Sequence, residues 1–314
     1  MRRSALRAAG LALAVALAGC ASLSTQAPSP PALGLVWSPV DSLNAGLPEG
    51  VRVLAGVSAS DTLRAWAVEL DGPALDVVVA DSAQGPSAFA GAPGACAAVN
   101  AGYFDVGTGA PVGLVVDEGR VRTAAFRNVA RGAEVYPVAR GAVGVTDQGR
   151  VEIGWARDAG DGVCRFEGPV GNRPGAPGAV PPEAACRPWP AGEAVGAGPV
   201  LLHRGRAVVT SDAEAFFGTA IPARRHPRSA VATAPDGRVW LVVVDGRQPA
   251  SRGVTLGELA LVLRGLGATE ALNLDGGGSS ALAVRAGGRV VRLNRPTGYD
   301  VERPVPTALV ARCG

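Results

Sequence analysis

The chain has 314 residues, with 30 basic against 27 acidic side chains and a formal charge of +3. Every basic residue is arginine, so there is no Schiff-base lysine, Walker A lysine or kinase-type lysine; this excludes pyridoxal-phosphate enzymes, lysine aldolases and P-loop or kinase phosphoryl transfer. With only His203 and His226 an all-histidine zinc site is excluded too, while 47% hydrophobic against 18% charged residues fits a packed core.

Residues 1–19 read as a lipoprotein signal peptide. Arg2, Arg3 and Arg7 form a basic start, and residues 11–18 form an apolar run too short to span a bilayer. Leu17-Ala18-Gly19-Cys20 follows and resembles a bacterial lipobox, so Cys20 is the expected lipidated residue. The membrane is thus an expected partner through a lipid anchor, at a bacterial cell envelope. Ala21 and Ser22 carry no aspartate after the cysteine, which favours the outer membrane, facing the periplasm. The leader holds three arginines and no acid, so the remaining 27 arginines balance the 27 acids. The rest of the chain is neutral, and no basic field draws nucleic acid. Residues 20–50, small and proline-rich at their start, read as the lipidated cysteine and a flexible tether. Residues 51–314 read as a single domain.

Short β-rich apolar runs follow at 51–57, 63–70, 75–80, 113–116, 151–155, 200–202, 230–233, 239–244, 271–274, 281–284 and 290–293. Pro235-Asp236-Gly237-Arg238 between two of them reads as a hairpin turn. One helix is well marked: Thr255 and Glu258 form a capping box, Leu256, Leu259, Ala260, Leu263 and Leu266 share a face, and Gly267 closes it. The expected fold class is α+β, a mixed β-sheet with few helices. Cys96, Cys164, Cys186 and Cys313 are an even set in an exported chain, giving two disulfides and three possible pairings. A Cys164–Cys186 bridge would staple the Gly/Pro-rich stretch between them, and Cys96–Cys313 would then tie back the C-terminus.

Four segments carry candidate chemistry: Asn100-Ala101-Gly102-Tyr103-Phe104-Asp105, Gly196-Ala197-Gly198-Pro199, His226-Pro227-Arg228 with Asp245-Gly246-Arg247, and Asn273-Leu274-Asp275-Gly276-Gly277-Gly278-Ser279-Ser280. In the last, an apolar strand ends in a carboxylate, then in glycines that let backbone approach a ligand, then in hydroxyls. Asp245 and Asp275 each follow a strand, and a carboxylate pair is the usual apparatus of glycosidic cleavage. Arg228 and Arg247 are candidates to clamp a phosphate. A Ser279/His226/Asp275 triad is disfavoured because Ser279 lacks the GxSxG elbow. Asp105, Asp245 and Asp275 offer oxygen ligands, but without a recognisable cation loop no metal is expected.

In this order the segments resemble the phosphodiester glycosidase family over roughly residues 51–312, most specifically in the later half; the closing Tyr299-Asp300-Val301-Glu302-Arg303-Pro304 is similar as well. The resemblance implies an α+β fold and hydrolysis of a sugar-1-phosphodiester to a free sugar and a phosphomonoester, with no cofactor. It implies catalytic roles for Asp245 and Asp275. It implies substrate binding by Asn100, Arg228, Asn273, Gly276, Gly277, Gly278, Ser279 and Arg303, with Arg228 and Arg303 on the phosphate. Where many relatives have Asn-Gly-Gly-Phe, this chain has Asn100-Ala101-Gly102-Tyr103-Phe104. The competing readings are a non-catalytic carbohydrate- or phosphate-binding envelope lipoprotein on the same scaffold, and a structural assembly lipoprotein.

Overall fold

A computed structural model describes residues 32–58, 62–160, 162–297 and 300–313. The leader, Cys20 and Tyr299 lie outside the described residues.

The run Val239–Val244 is apolar without alternation, so both of its faces must be covered. It lies inside an eight-stranded sheet whose order is Val36–Pro39, Val51–Ser58, Leu63–Leu70, Val239–Val244, Arg228–Thr233, Glu270–Asn273, Val200–His203 and Arg206–Ala207. One face carries Val231, Leu241, Val243 and Leu272 into the main core. There they meet Val143, Trp155 and Val195 of a seven-stranded sheet, and Val99, Leu282 and Leu309 of a five-stranded one. The other face carries Ala230, Ala232, Val242 and Val244 to the helix Leu256–Gly265. That helix begins with the expected capping box, Thr255 and Glu258 each bonding the other's backbone. Caps of this kind are worth about 1 kcal/mol. Gly267 takes φ +89° just beyond its end.

The fold is β-rich with few helices. Every strand pair among the described residues is antiparallel, which narrows the mixed sheet expected from the sequence. Parallel neighbours need crossover connections, usually helical, and among the described residues only one helix reaches ten residues. The hairpin at Pro235–Arg238 joins Arg228–Thr233 to Val239–Val244, with Gly237 at φ +92°.

The ordered fold begins before residue 51, inside the segment expected to be a tether. Val36–Pro39 pairs with Val51–Ser58 as the sheet's edge strand, and Leu35 is buried in the helix-side core. The Trp37 ring lies on Gly56, where an added Cβ would meet it at 2.8 Å. Asn44 then clamps Val53 from both sides: its Oδ1 accepts from the Val53 amide at 2.8 Å and its Nδ2 donates to the Val53 carbonyl at 3.1 Å.

The disulfides are Cys164–Cys186 and Cys96–Cys313. The first closes the Gly/Pro-rich stretch. The second joins the end of the last strand, Val305–Arg312, to its neighbour Ala95–Asn100.

Candidate active site

Topology gathers the motifs. Val239–Val244 and Glu270–Asn273 flank Arg228–Thr233 and both run antiparallel to it. Their C-terminal ends, with Asp245 and Asp275 beyond, therefore meet the start of the middle strand, Arg228. The five-stranded sheet brings Asn100 to the same region at the end of Ala95–Asn100.

A cleft of about 190 Å³ opens there, lined by Tyr103, Ile221, His226, Arg228, Asn273, Asp275 and Gly276–Gly278, with the exposed Arg247 and Arg303 at its rim. The backbone favours glycine here: a Cβ on Gly276 would meet the Pro227 carbonyl oxygen at 2.9 Å. A Cβ on Gly278 would meet Arg303 Nη2 at 2.6 Å, and Gly277 has φ +63° with the Arg247 guanidinium 3.4 Å from its Cβ position. The Asp275 carboxylate accepts from the Gly276 amide at 2.9 Å, and burial lifts its pKa to about 6 despite the Ser279 and Gly276 hydrogen bonds.

The three arginines share an absence: among the described residues none has a carboxylate within ion-pair distance. Arg228 is 2% exposed, and its Nη2 and Nε donate only to the carbonyls of Ile221 (2.7 Å), Arg224 (3.1 Å) and Val254 (3.2 Å). Burial pulls its pKa down to about 10, which leaves it charged at neutral pH. Arg303 is exposed; its Nη1 donates to Ser279 Oγ at 3.3 Å. The neighbouring Glu302 pins that loop by accepting from the Ser87 amide and hydroxyl. Arg247 has φ +56°, and its Nη2 donates to His226 Nδ1 at 2.9 Å.

His226 donates from Nε2 to the Ala220 carbonyl at 2.9 Å. Burial, and then the arginines around it, hold its pKa below the usual histidine range. Both ring nitrogens are thus occupied away from Ser279 and Asp275, and the Ser/His/Asp triad is not assembled.

The aspartate pair expected as one apparatus is divided. Asp245 is 2% exposed and does not line the cleft. Its Oδ1 accepts from Asn294 Nδ2 at 3.1 Å and from the Arg295 amide at 3.0 Å. Asn294 in turn donates to the Ser280 carbonyl at 2.9 Å, so Asp245 supports the glycine–serine loop from behind. Burial lifts its pKa to about 6. Asn100 is fully buried as well. Its Nδ2 donates to the Asp275 carbonyl at 2.6 Å, while its Oδ1 accepts from Ser229 Oγ and the Ala281 amide. It fixes the loop beneath the cleft. Ser279 is 1% exposed and backs Arg303. Asp105 sits in an exposed turn, where its Oδ1 accepts from the Gly107 and Thr108 amides.

Two further residues, not among those expected, shape the site. Tyr103 lines the cleft; its hydroxyl donates to the Gly198 carbonyl at 2.6 Å and accepts from Asn273 Nδ2 at 3.1 Å. Burial, then the Asp275 charge, push its pKa up. The signal was present as the aromatic in the Asn100–Asp105 motif. Glu214, fully buried, holds the Gly196–Pro199 segment by accepting from the Val200 amide, the Gly141 amide, Trp155 Nε1 and Thr210 Oγ1. No motif marks it.

A family model described as phosphodiester glycosidase matches residues 93–312, more than half of the chain. The SPbeta prophage-derived uncharacterized protein YomE of Bacillus subtilis is 40% identical over 60 residues, 19% of this chain and 9% of its own length. A hypothetical protein from Synechocystis superposes with a TM-score of 0.61 at 22% identity, over 85% of this chain and 62% of that one. The catalytic domain of zebrafish N-acetylglucosamine-1-phosphodiester alpha-N-acetylglucosaminidase, auto-inhibited by its pro-peptide, superposes at 0.54 and 17% identity, over 88% of this chain and 82% of that one. At these identities the two structures share the fold. The chain spans less than two thirds of the Bacillus and Synechocystis proteins.

The support role of Asp245 has a thermodynamic signature. Its native pKa of about 6 lies above an unfolded value of roughly 3.9, so the native state binds more protons between them and stability falls as pH rises from 4 to 6. Urea unfolding at pH 4.5 and pH 7 should show Asp245→Asn losing that part of the wild-type decline, on the order of 2 kcal/mol. Equal declines in the two proteins would refute the assignment.

Proposed function

The chain belongs to the phosphodiester glycosidase family, and from that premise we propose that it hydrolyses a sugar-1-phosphodiester in the cleft of Arg228, Arg247, Arg303 and Asp275. The zebrafish relative's name gives an N-acetylglucosamine-1-phosphodiester as its substrate; we extend to this chain the broader class, a sugar joined through its anomeric oxygen to a phosphodiester. The observation that carries the reading is one carboxylate in a cleft with three guanidinium groups that, among the described residues, have no carboxylate within ion-pair distance.

The chemistry follows from the leaving group. An ordinary glycoside expels an alkoxide and needs an acid to protonate it, hence the usual carboxylate pair. A phosphodiester expels a phosphomonoester anion, stable without a proton at the bridging oxygen. Its charge grows as the C1–O bond breaks, and fixed cations placed beforehand stabilise that charge most in the transition state. Arg228, buried and rigid, and Arg303 and Arg247 at the rim fill that role. One carboxylate then suffices. Asp275 accepts a proton from the attacking water, whose oxygen bonds to C1; the phosphomonoester leaves with the C1–O electron pair, and the proton passes to solvent. Asn273 and Tyr103, hydrogen-bonded to each other, line the wall beside the sugar.

The location rests on the leader. We place the protein at the bacterial envelope, held by the lipid on Cys20 and facing the periplasm. Among the described residues no helix is long and apolar enough to cross a membrane.

Two outcomes test this. With a glucose-1-phosphodiester panel, kcat/KM should rise with pH through about 6, as Asp275 becomes a carboxylate. Asp275→Asn should remove that limb and about 10²–10⁴ of the rate, whereas Asp245→Asn should stay within about tenfold of wild type. Binding of the panel with no turnover by the wild type would favour the carbohydrate-binding reading. Separately, Cys20→Ser should lose palmitate labelling and leave the membrane fraction; a variant still pelleting with membranes would contradict the anchor.

A further inference from the structure

Tyr103 walls two cavities. One is the cleft; the other is a narrow hollow lined also by Leu114, Phe126, Arg140, Gly141 and Ala197. At about 20 Å³ it has room for one or two water-sized groups and none for a sugar ring.

Arg140, the first residue of strand Arg140–Thr146, is the one charged residue lining this hollow. Its guanidinium carbon lies 4.2 Å from the ring centroid of Phe216 and 5.2 Å from that of Phe126, so aromatic faces flank the cation. Its Nε makes a long 3.4 Å bond to the main-chain carbonyl of Glu214. The carboxylate of Glu214 compensates the charge only through space, since its oxygens are committed to Gly141, Val200, Trp155 and Thr210. Among the described residues no carboxylate lies within ion-pair distance of Arg140. With its faces covered, the guanidinium offers its terminal N–H edge, the geometry that pairs bidentately with a planar carboxylate. Phe126 is 38% exposed, which sets an aromatic surface at the mouth of the hollow.

We propose that this hollow is a subsite for a carboxylate carried on the leaving group of the phosphodiester. The proposal rests on the sugar-1-phosphodiester reading of the cleft and names its substrate class further: a sugar phosphate joined to an acidic alcohol, such as a carboxylated sugar or hydroxy acid. The sugar and phosphate occupy the arginine cleft, and the leaving group extends past Tyr103 to place its carboxylate on Arg140. The size of the hollow selects the flat carboxylate over a tetrahedral phosphate.

Calorimetry tests this on Asp275→Asn, which holds substrates uncleaved. The probes are the methyl diester of glucose 1-phosphate and a series of ω-carboxyalkyl diesters with two to five methylenes. At least one carboxyalkyl diester should bind ten times or more tighter than the methyl diester. Adding Arg140→Gln should abolish that preference, and adding Phe126→Ala, at a ring 38% exposed, should reduce it several-fold. Equal binding of methyl and carboxyalkyl diesters would overturn the subsite and leave the cleft reading standing; binding of neither would overturn both. A phosphonoalkyl diester that binds tighter than its carboxyalkyl counterpart would contradict the selection by size.

Discussion

A buried cation without a counter-charge constrains everything around it. Removing a guanidinium from water costs several kcal/mol unless hydrogen bonds and opposite charge offset it. Among the described residues Arg228 has three carbonyl partners and no carboxylate within ion-pair distance. Those carbonyls come from three places: Ile221 in a short helical turn, Arg224 just after it, and Val254 before the capped helix. Holding one side chain thus fixes the segment above the cleft and the segment leading to the helix. An anionic ligand completes the set under the proposed function, so the cost of burial becomes binding energy for a phosphate.

The rest of the architecture keeps that arrangement rigid. Arg228 opens a strand whose two neighbours are paired along its length, and the helix with its capping box seals the outer face. The loop facing Arg228 is held from below by Asn100, from behind by Asp245 through Asn294, and at its edge by Arg303 on Ser279. These supports come from residues far apart in the chain, Asn100, Asp245, Asn294 and Arg303, and hold a loop made of glycine and serine by hydrogen bonds. The division of labour between the aspartates follows. Both are raised to about 6 by burial, yet one carboxylate is spent on structure and the other opens on the cleft.

Much of this was legible in the sequence because the signals are local. The apolar runs matched strands because runs such as Val239–Val244 are short, rich in valine and bounded by turn residues. Thr255 and Glu258 lie within one turn, so their capping box could be read directly. The glycine loop, Arg228 and Arg303 stood out by motif. What was hidden depended on distant partners. Asp-Gly after a strand looks the same at 245 and 275; only Asn294 and Arg295, some fifty residues later, turn the first carboxylate away from the cleft. Glu214 sits in an unremarkable stretch and gains meaning from Gly141, Trp155 and Val200. Trp37 lies next to a proline-rich segment, and the flat Gly56 that receives it is a neighbour only once the edge strand pairs.

Under the proposed function the cations stabilise a departing phosphomonoester while water attacks the anomeric carbon. Hydrolysis of a glucose-1-phosphodiester in ¹⁸O-labelled water, with both products read by mass spectrometry, tests it most directly. The label is expected in the anomeric hydroxyl of the sugar and none in the phosphomonoester. Label in the phosphomonoester would mean attack at phosphorus and would overturn attack at the anomeric carbon.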